Sequence, residues 1–227
     1  VREGDSAEQH AALTFLMGLY WKPVFFFTRR QGVKEEEAKD LTQTFFLQCL
    51  HRELFSKADP VMGRFRSFLI RSLKNFLNNS RKYAAAGIRR PAGGLVSIDE
   101  LAADEGTGFE PRENETAEDV FNRAWATEVI RQVLRMLEAE YLEAGKSTHV
   151  EIFRQRIVFP MLEGAEAPAL AVLGARLGIS EKQAGACLVT TRRAYQRLLR
   201  DFIRQYAVSD ADLREEVRDL FQVFDRS

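Results

Sequence analysis

No stretch of this chain narrows its fold as far as residues 169–206, ALAVLGARLGISEKQAGACLVTTRRAYQRLLRDFIRQY. Leu170, Leu173 and Leu177 recur at steps of three and four, which places them on one face of a short helix. Gly178 follows at the position where helices end on a left-handed residue, and Ile179 is set to plug the corner. Ser180 then reads as the N-cap of a second helix, with Gln183 completing a capping box. On that helix Ala184, Leu188, Thr191, Tyr195, Leu198 and Phe202 repeat on the inner face. Two helices joined by so tight a turn make a helix-turn-helix at about 169–204, a unit that enters DNA major grooves in some proteins and is a plain αα-corner in others. Arg192, Arg193, Arg197, Arg200 and Arg204 favour DNA, because phosphate contacts supply most of the affinity for it. The groove-facing Gly185, Ala186 and Val189 bring no hydrogen bonds to base edges, which leaves Lys182, Gln183 and Thr190 as readers. Such a helix is expected to hold DNA better than it reads it.

The formal charge of zero conceals a segregation. Arg64, Arg66, Arg71, Lys74, Arg81, Lys82, Arg89 and Arg90 follow one another with no acid between them. Asp99, Glu100, Asp104, Glu105, Glu110, Glu113, Glu115, Glu118 and Asp119 then stand against Arg112 alone. Blocks this distinct predict an anion-binding surface followed by a solvated acidic linker, and the domain boundary is expected in that linker. A chain of 227 residues has room for two domains of about a hundred residues each. Cys49 and Cys187 lie far apart without a CxxC context and read as thiols rather than a disulfide. His10, His51 and His149 have no ligand spacing, so neither a metal nor a cofactor is expected. No apolar run approaches the roughly 18 to 20 residues of a membrane span. No secretory leader is legible, although Val1 in place of an initiator Met leaves room for a trimmed start, and a cytoplasmic location is expected.

Periodicity predicts an all-α chain in two helical bundles. A helix over 7–31 carries Leu13, Leu16, Tyr20, Val24 and Phe27 on one side, is bent by Pro23 and closes at Gly32. A second over 34–55 turns Ala38, Leu41, Phe45 and Cys49 inward, with Glu35, Glu36 and Glu37 at its positive end. Asp59-Pro60 and Gly63 mark a loop. A third helix over 64–86 buries Phe68, Leu69, Leu73 and Phe76 or Leu77, and shows Arg71, Lys74, Asn75, Asn78, Arg81 and Lys82 outward. After the linker a long helix over 117–144 buries Val120, Trp125, Val129, Val133, Leu134, Leu137 and Tyr141. A helix over 148–162, interrupted late by Pro160, precedes the helix-turn-helix. A last amphipathic helix over 209–224 carries Leu213, Val217, Leu220 and Phe224 in period. Residues 95–98 are the only strand candidate.

No Gly-rich phosphate loop, HExxH, zinc spacing or nucleophile motif is present. The dense acids lie in a Gly-containing linker, where nothing fixes the geometry that acid–base chemistry requires. No catalytic residue is therefore expected, and the chain is not expected to be an enzyme. The basic face of 64–82, beside Phe65 and Tyr83, suits an unstacked single strand held by backbone charge and stacking. Lys74, Asn75 and Asn78 would meet flipped bases there.

Several blocks in order resemble a bacterial RNA polymerase sigma factor of the extracytoplasmic-function (ECF) type. They are DLTQTFF at 40–46, GRFRSFL at 63–69, LKNFL at 73–77, AWA at 124–126, AEY at 139–141 with GK at 145–146, and LGISE at 177–181. The resemblance covers nearly the whole chain. It implies a sigma domain 2 at 7–90, an acidic linker at 91–119 and a sigma domain 4 at 120–206 with its helix-turn-helix; the helix within 209–227 follows. It implies core RNA polymerase as partner, with Asp40, Gln43, Thr44 and Phe46 docking on the β′ clamp coiled coil and domain 4 on the β flap. It implies promoter DNA as the second partner. The minus-ten strand would be captured by Arg64, Phe65, Arg66, Arg71, Lys74, Asn75, Asn78, Arg81 and Lys82. The minus-thirty-five element would be met by Ser180, Lys182, Gln183, Thr190, Arg192, Arg193 and Arg197. Thr44 departs from the family pattern, which has a glutamate there, and positions around 185 and 190 lack the usual basic residues. A threonine in place of a carboxylate points to a Ser/Thr kinase acting at Thr44, with Thr42 as the alternative acceptor. Control by an anti-sigma factor or by the C-terminal helix is the competing expectation. A stand-alone helix-turn-helix regulator that never joins polymerase is the alternative function, and a module binding an acidic protein partner is a third.

Overall fold

A computed structural model describes residues 3–51, 65–85, 109 and 111–225, and helices account for the regular structure among them. Among the described residues there is no strand. The chain divides into two compact units, Val1–Trp125 and Ala126–Ser227.

The first unit contains α1 (Glu3–Arg30), α2 (Glu35–His51), α3 (Phe65–Ala85) and the start of α4 (Ala117–Glu143). Helix α1 runs through Pro23, and α2 packs along it. Glu35, Glu36 and Glu37 occupy the first turn of α2, where the helix dipole favours them. Aromatic rings fill the core. Tyr20 lies 5.4 Å from Phe65 and 6.1 Å from Phe121, Phe27 meets Phe121 edge-on, and Phe45 packs on Phe76 at 5.5 Å. Ala38, Leu41, Cys49, Leu69, Leu73 and Leu77 complete it, as their spacing predicts. Thr116 caps α4: its Oγ accepts the Asp119 N–H, and the Asp119 carboxylate accepts the Thr116 N–H.

The division between units falls within α4, after Trp125. The cause is packing, since Val120, Phe121, Ala124 and Trp125 are buried and Phe121 joins the aromatic cluster of α1. The expected loop at 59–63, the strand candidate at 95–98 and Arg64, Arg89 and Arg90 lie outside the described residues.

The second unit holds the rest of α4 together with α5 (Ser147–Phe153), α6 (Phe159–Glu163), α7 (Leu170–Leu177), α8 (Glu181–Arg204) and α9 (Asp210–Asp225), with α5 and α7 both packed on α8. Between α5 and α6 the chain winds as a π-helix, Arg154–Val158, with the Phe159 N–H reaching back to the Arg154 carbonyl. The interruption thus comes before Pro160, not at it. Proline supplies no N–H to the carbonyl four residues back, and a wider turn ahead of it keeps the helix running. Phe153 packs on Tyr195 at 4.9 Å, and the Tyr195 hydroxyl donates to the Ile130 carbonyl at 3.3 Å. Leu213 and Leu220 of α9 are buried, and α9 lies against α8.

Candidate nucleic-acid interface

The turn between α7 and α8 depends on two glycines. Gly178 sits at φ 70°, and its N–H closes back on the Ala175 and Gly174 carbonyls. At Gly174 a Cβ would lie 2.8 Å from the Ile179 carbonyl oxygen, so only glycine lets the corner fold this tightly. Ile179 packs with Leu170, Leu177, Cys187 and Leu188 on a buried core of Ile152, Leu173 and Ala184. Ser180 starts α8 with a full capping box. The Gln183 N–H donates to the Ser180 Oγ, and the Gln183 Oε1 accepts from both the Ser180 N–H and its hydroxyl, each at 2.8 Å.

This geometry changes what the expected readers can offer. Ser180 and the Gln183 Oε1 are taken up by the cap, and the Thr190 hydroxyl donates to the Ala186 carbonyl at 3.0 Å. Lys182, Arg192, Arg193 and Arg200 are exposed and hold no ion partner among the described residues. Arg197 is held by both Glu140 carboxylate oxygens, at 2.9 and 2.8 Å, which raises its pKa further. Arg204 faces Asp201 and Asp210. A cavity of about 410 Å³ beside α8 is lined by Lys146, Thr148, His149, Gln183, Cys187 and Thr190 among others. Burial, then the charge of Lys146, pushes His149 below the usual histidine range.

The outward face of α3 is exposed as expected at Arg71, Lys74, Asn75, Asn78, Arg81 and Lys82. Not all of it is free. Lys74 pairs with Glu118, and Arg81 donates to the Gln31 carbonyl and side chain at 3.2 and 3.3 Å. Arg66 turns inward: it is buried, bonds the Asn122 amide oxygen at 3.0 Å and lies 3.8 Å over the Trp125 ring. Phe65 packs on Tyr20 and Phe68.

Sequence reasoning missed the partners of the acidic stretch. Arg30 donates to the Glu113 and Glu115 carbonyls, Arg123 grips both Glu115 oxygens at 2.6 and 2.8 Å, and Arg123 also covers the Phe109 ring. Phe109 packs on Phe26 at 4.6 Å. Burial pushes Glu115 up, but the Arg123 guanidinium and the Arg112 N–H outweigh it and hold it below the usual carboxylate range. The Lys74 ammonium does the same for Glu118.

On α2, Asp40 is exposed and Gln43 and Thr44 are half-buried, with the Thr44 hydroxyl donating to the Asp40 carbonyl at 2.7 Å. Phe46 is buried, stacked on Trp21 at 5.9 Å, so it supports this face from beneath rather than forming it. Thr42 is fully buried with its hydroxyl on the Ala38 carbonyl, which withholds it from a kinase in the folded chain.

No family model, curated protein or solved structure matches this chain. Among the described residues no helix is long and apolar enough to cross a membrane, and no group of His, Cys, Asp or Glu is arranged to hold a metal ion.

Proposed function

We propose that this chain is an ECF-type sigma factor, a cytoplasmic subunit that joins core RNA polymerase, places it on promoter DNA and helps to melt that DNA. The observation that carries the reading is the α7–α8 corner: a Gly178 turn, a complete capping box and a following helix whose exposed cations await phosphates. In the first unit, Arg71 and Lys82 of α3 are exposed and hold no partner among the described residues, as a surface for a single strand requires. Asp40, Gln43 and Thr44 form the polar side of α2 that would meet β′. The reading assigns no catalytic residue to the chain.

A stand-alone helix-turn-helix regulator is the second reading. The inward turn of Arg66 and the pairing of Lys74 with Glu118 favour it, because both withdraw charge from the face a melted strand would need. Run-off transcription from genomic fragments, with core polymerase plus this protein, separates the two. Specific transcripts that depend on the protein support the sigma reading. DNA binding without a stable polymerase complex supports the regulator, and neither result leaves the acidic-partner module.

A further inference from the structure

The outer line of α8 runs Lys182, Ala186, Val189, Arg193, at steps of four, three and four, opposite the buried line of Ala184, Thr191, Tyr195 and Leu198. Its two ends are cations and its middle is apolar. Val189 is 52% exposed, among the most exposed large apolar side chains of the described residues. Around it, the Gln183 Oε1 and the Thr190 hydroxyl are engaged within the protein, and Lys182 stands at the cationic end of the line. The Gln183 Oε1 accepts twice from Ser180, and the Thr190 hydroxyl is on the Ala186 carbonyl, leaving its methyl as the free contact group. What α8 presents to a groove is therefore a methyl-rich centre between two cations. Lys182 and Arg193 lie about 16 Å apart along a helix rising 1.5 Å per residue, enough to reach phosphates on both walls of a groove about 12 Å wide. The exposed cations without ion partners select a polyanion over an apolar protein surface.

Only one base edge in the major groove carries an apolar group, the C5-methyl of thymine. Resting on the DNA-binding reading above, we propose that α8 recognises thymine through its methyl group, with Val189 as the specificity-determining side chain. Ala186 and the Thr190 methyl complete the contact.

The test removes the methyl from the DNA instead of from the protein. Full-length protein, with and without core polymerase, is used to select duplexes from a random-sequence pool at low salt. The selected pool is then copied with thymine or with deoxyuridine, which pairs identically but lacks the methyl. Wild type is expected to retain the thymine pool about fourfold better for each contacted methyl, the factor that burying one such group supplies. Val189→Ser is expected to lose about fourfold of that discrimination, with its retention of the deoxyuridine pool unchanged from wild type. Arg193→Ala is expected to lose affinity for both alike and to flatten the salt dependence by about one unit of slope. Circular dichroism confirms that the variants fold. Equal retention of both pools by wild type overturns methyl recognition while leaving DNA binding intact. Failure to enrich any duplex, with or without polymerase, overturns the DNA-binding reading and this inference with it.

Discussion

Cys49 and Cys187 are chemically identical and differ only in surroundings. Burial pushes the Cys49 thiol up to about 12, so almost no thiolate exists near neutrality, whereas Cys187 lines the cavity beside α8. In the native protein one thiol is expected to react with an aromatic disulfide reagent, and the other only on denaturation. Cys187→Ser should abolish the native reaction; a fast phase surviving in that variant would show that Cys49 is reachable. Thr44 is the other residue whose setting decides its role. It stands one helical turn after the exposed Asp40, on the side of α2 that the sigma reading turns toward polymerase. A phosphate there would add about −1.5 to −2 charges, and an exposed ion pair is worth up to about 1 kcal/mol. Under that reading Thr44→Glu should bind core polymerase roughly fivefold more tightly than Thr44→Ala. Equal affinities would place control elsewhere, in an anti-sigma factor or in α9. Thr42, buried on the inner side of α2, is no substitute acceptor.

The α7–α8 corner is the element on which the second unit's function turns, and its three special positions fail in different ways. Ser180→Ala removes the cap and should cost about 1 kcal/mol. Gly178→Ala keeps the cap but forces a left-handed alanine, at about 1 to 2 kcal/mol. Gly174→Ala drives a Cβ to 2.8 Å from the Ile179 carbonyl, backbone against side chain, and should cost most, roughly 2 to 3 kcal/mol. Urea unfolding of the three variants checks that order; a silent Gly174→Ala would mean that the corner opens without penalty. This corner was legible in the sequence because everything that makes it is local: a leucine period, a glycine, a serine and a glutamine within a few residues. The buried lines of α2, α3 and α4 were legible for the same reason. The π-helix was not, since it answers to Pro160 and to the packing of Phe153 on Tyr195, which periodicity does not contain. The anchoring of residues 111–119 was not legible either, because the Arg30 that holds Glu115 is 85 positions away. Charge blocks in the sequence predicted a solvated linker, and only the fold brought its last residues onto guanidinium groups.

At the scale of the whole chain, acid and base are separated in sequence, and among the described residues Lys74 with Glu118 rejoins the two blocks. Two consequences are measurable. Glu115 is held below its unfolded pKa, so its contribution to anchoring 111–119 is complete above the ordinary carboxylate range. That contribution is lost as pH falls through the lowered value. Hydrogen-exchange protection at residues 112–119, taken relative to the intrinsic rate at each pH, should therefore fall on acidification, and in Glu115→Gln it should be low already at neutral pH. The second consequence concerns Lys74. Its ion pair with Glu118 is exposed and therefore weak, yet it stands where the sigma reading places a phosphate. In the sigma reading the acidic residue competes with the melted strand for the same ammonium. Glu118→Gln should then bind single-stranded DNA about two- to threefold more tightly at low salt, by relief of a competitor worth well under 1 kcal/mol. Lys74→Ala together with Arg81→Ala should act in the opposite sense, lowering the salt slope by about one unit per lost phosphate contact and shortening the open complex. Polymerase binding should survive the double substitution, since neither residue lies on α2. Filter binding with an oligonucleotide and open-complex lifetimes on a run-off template provide the two readouts. Unchanged lifetimes in the double variant would mean that the basic face of α3 is solvated surface and that the strand, if any, is held elsewhere.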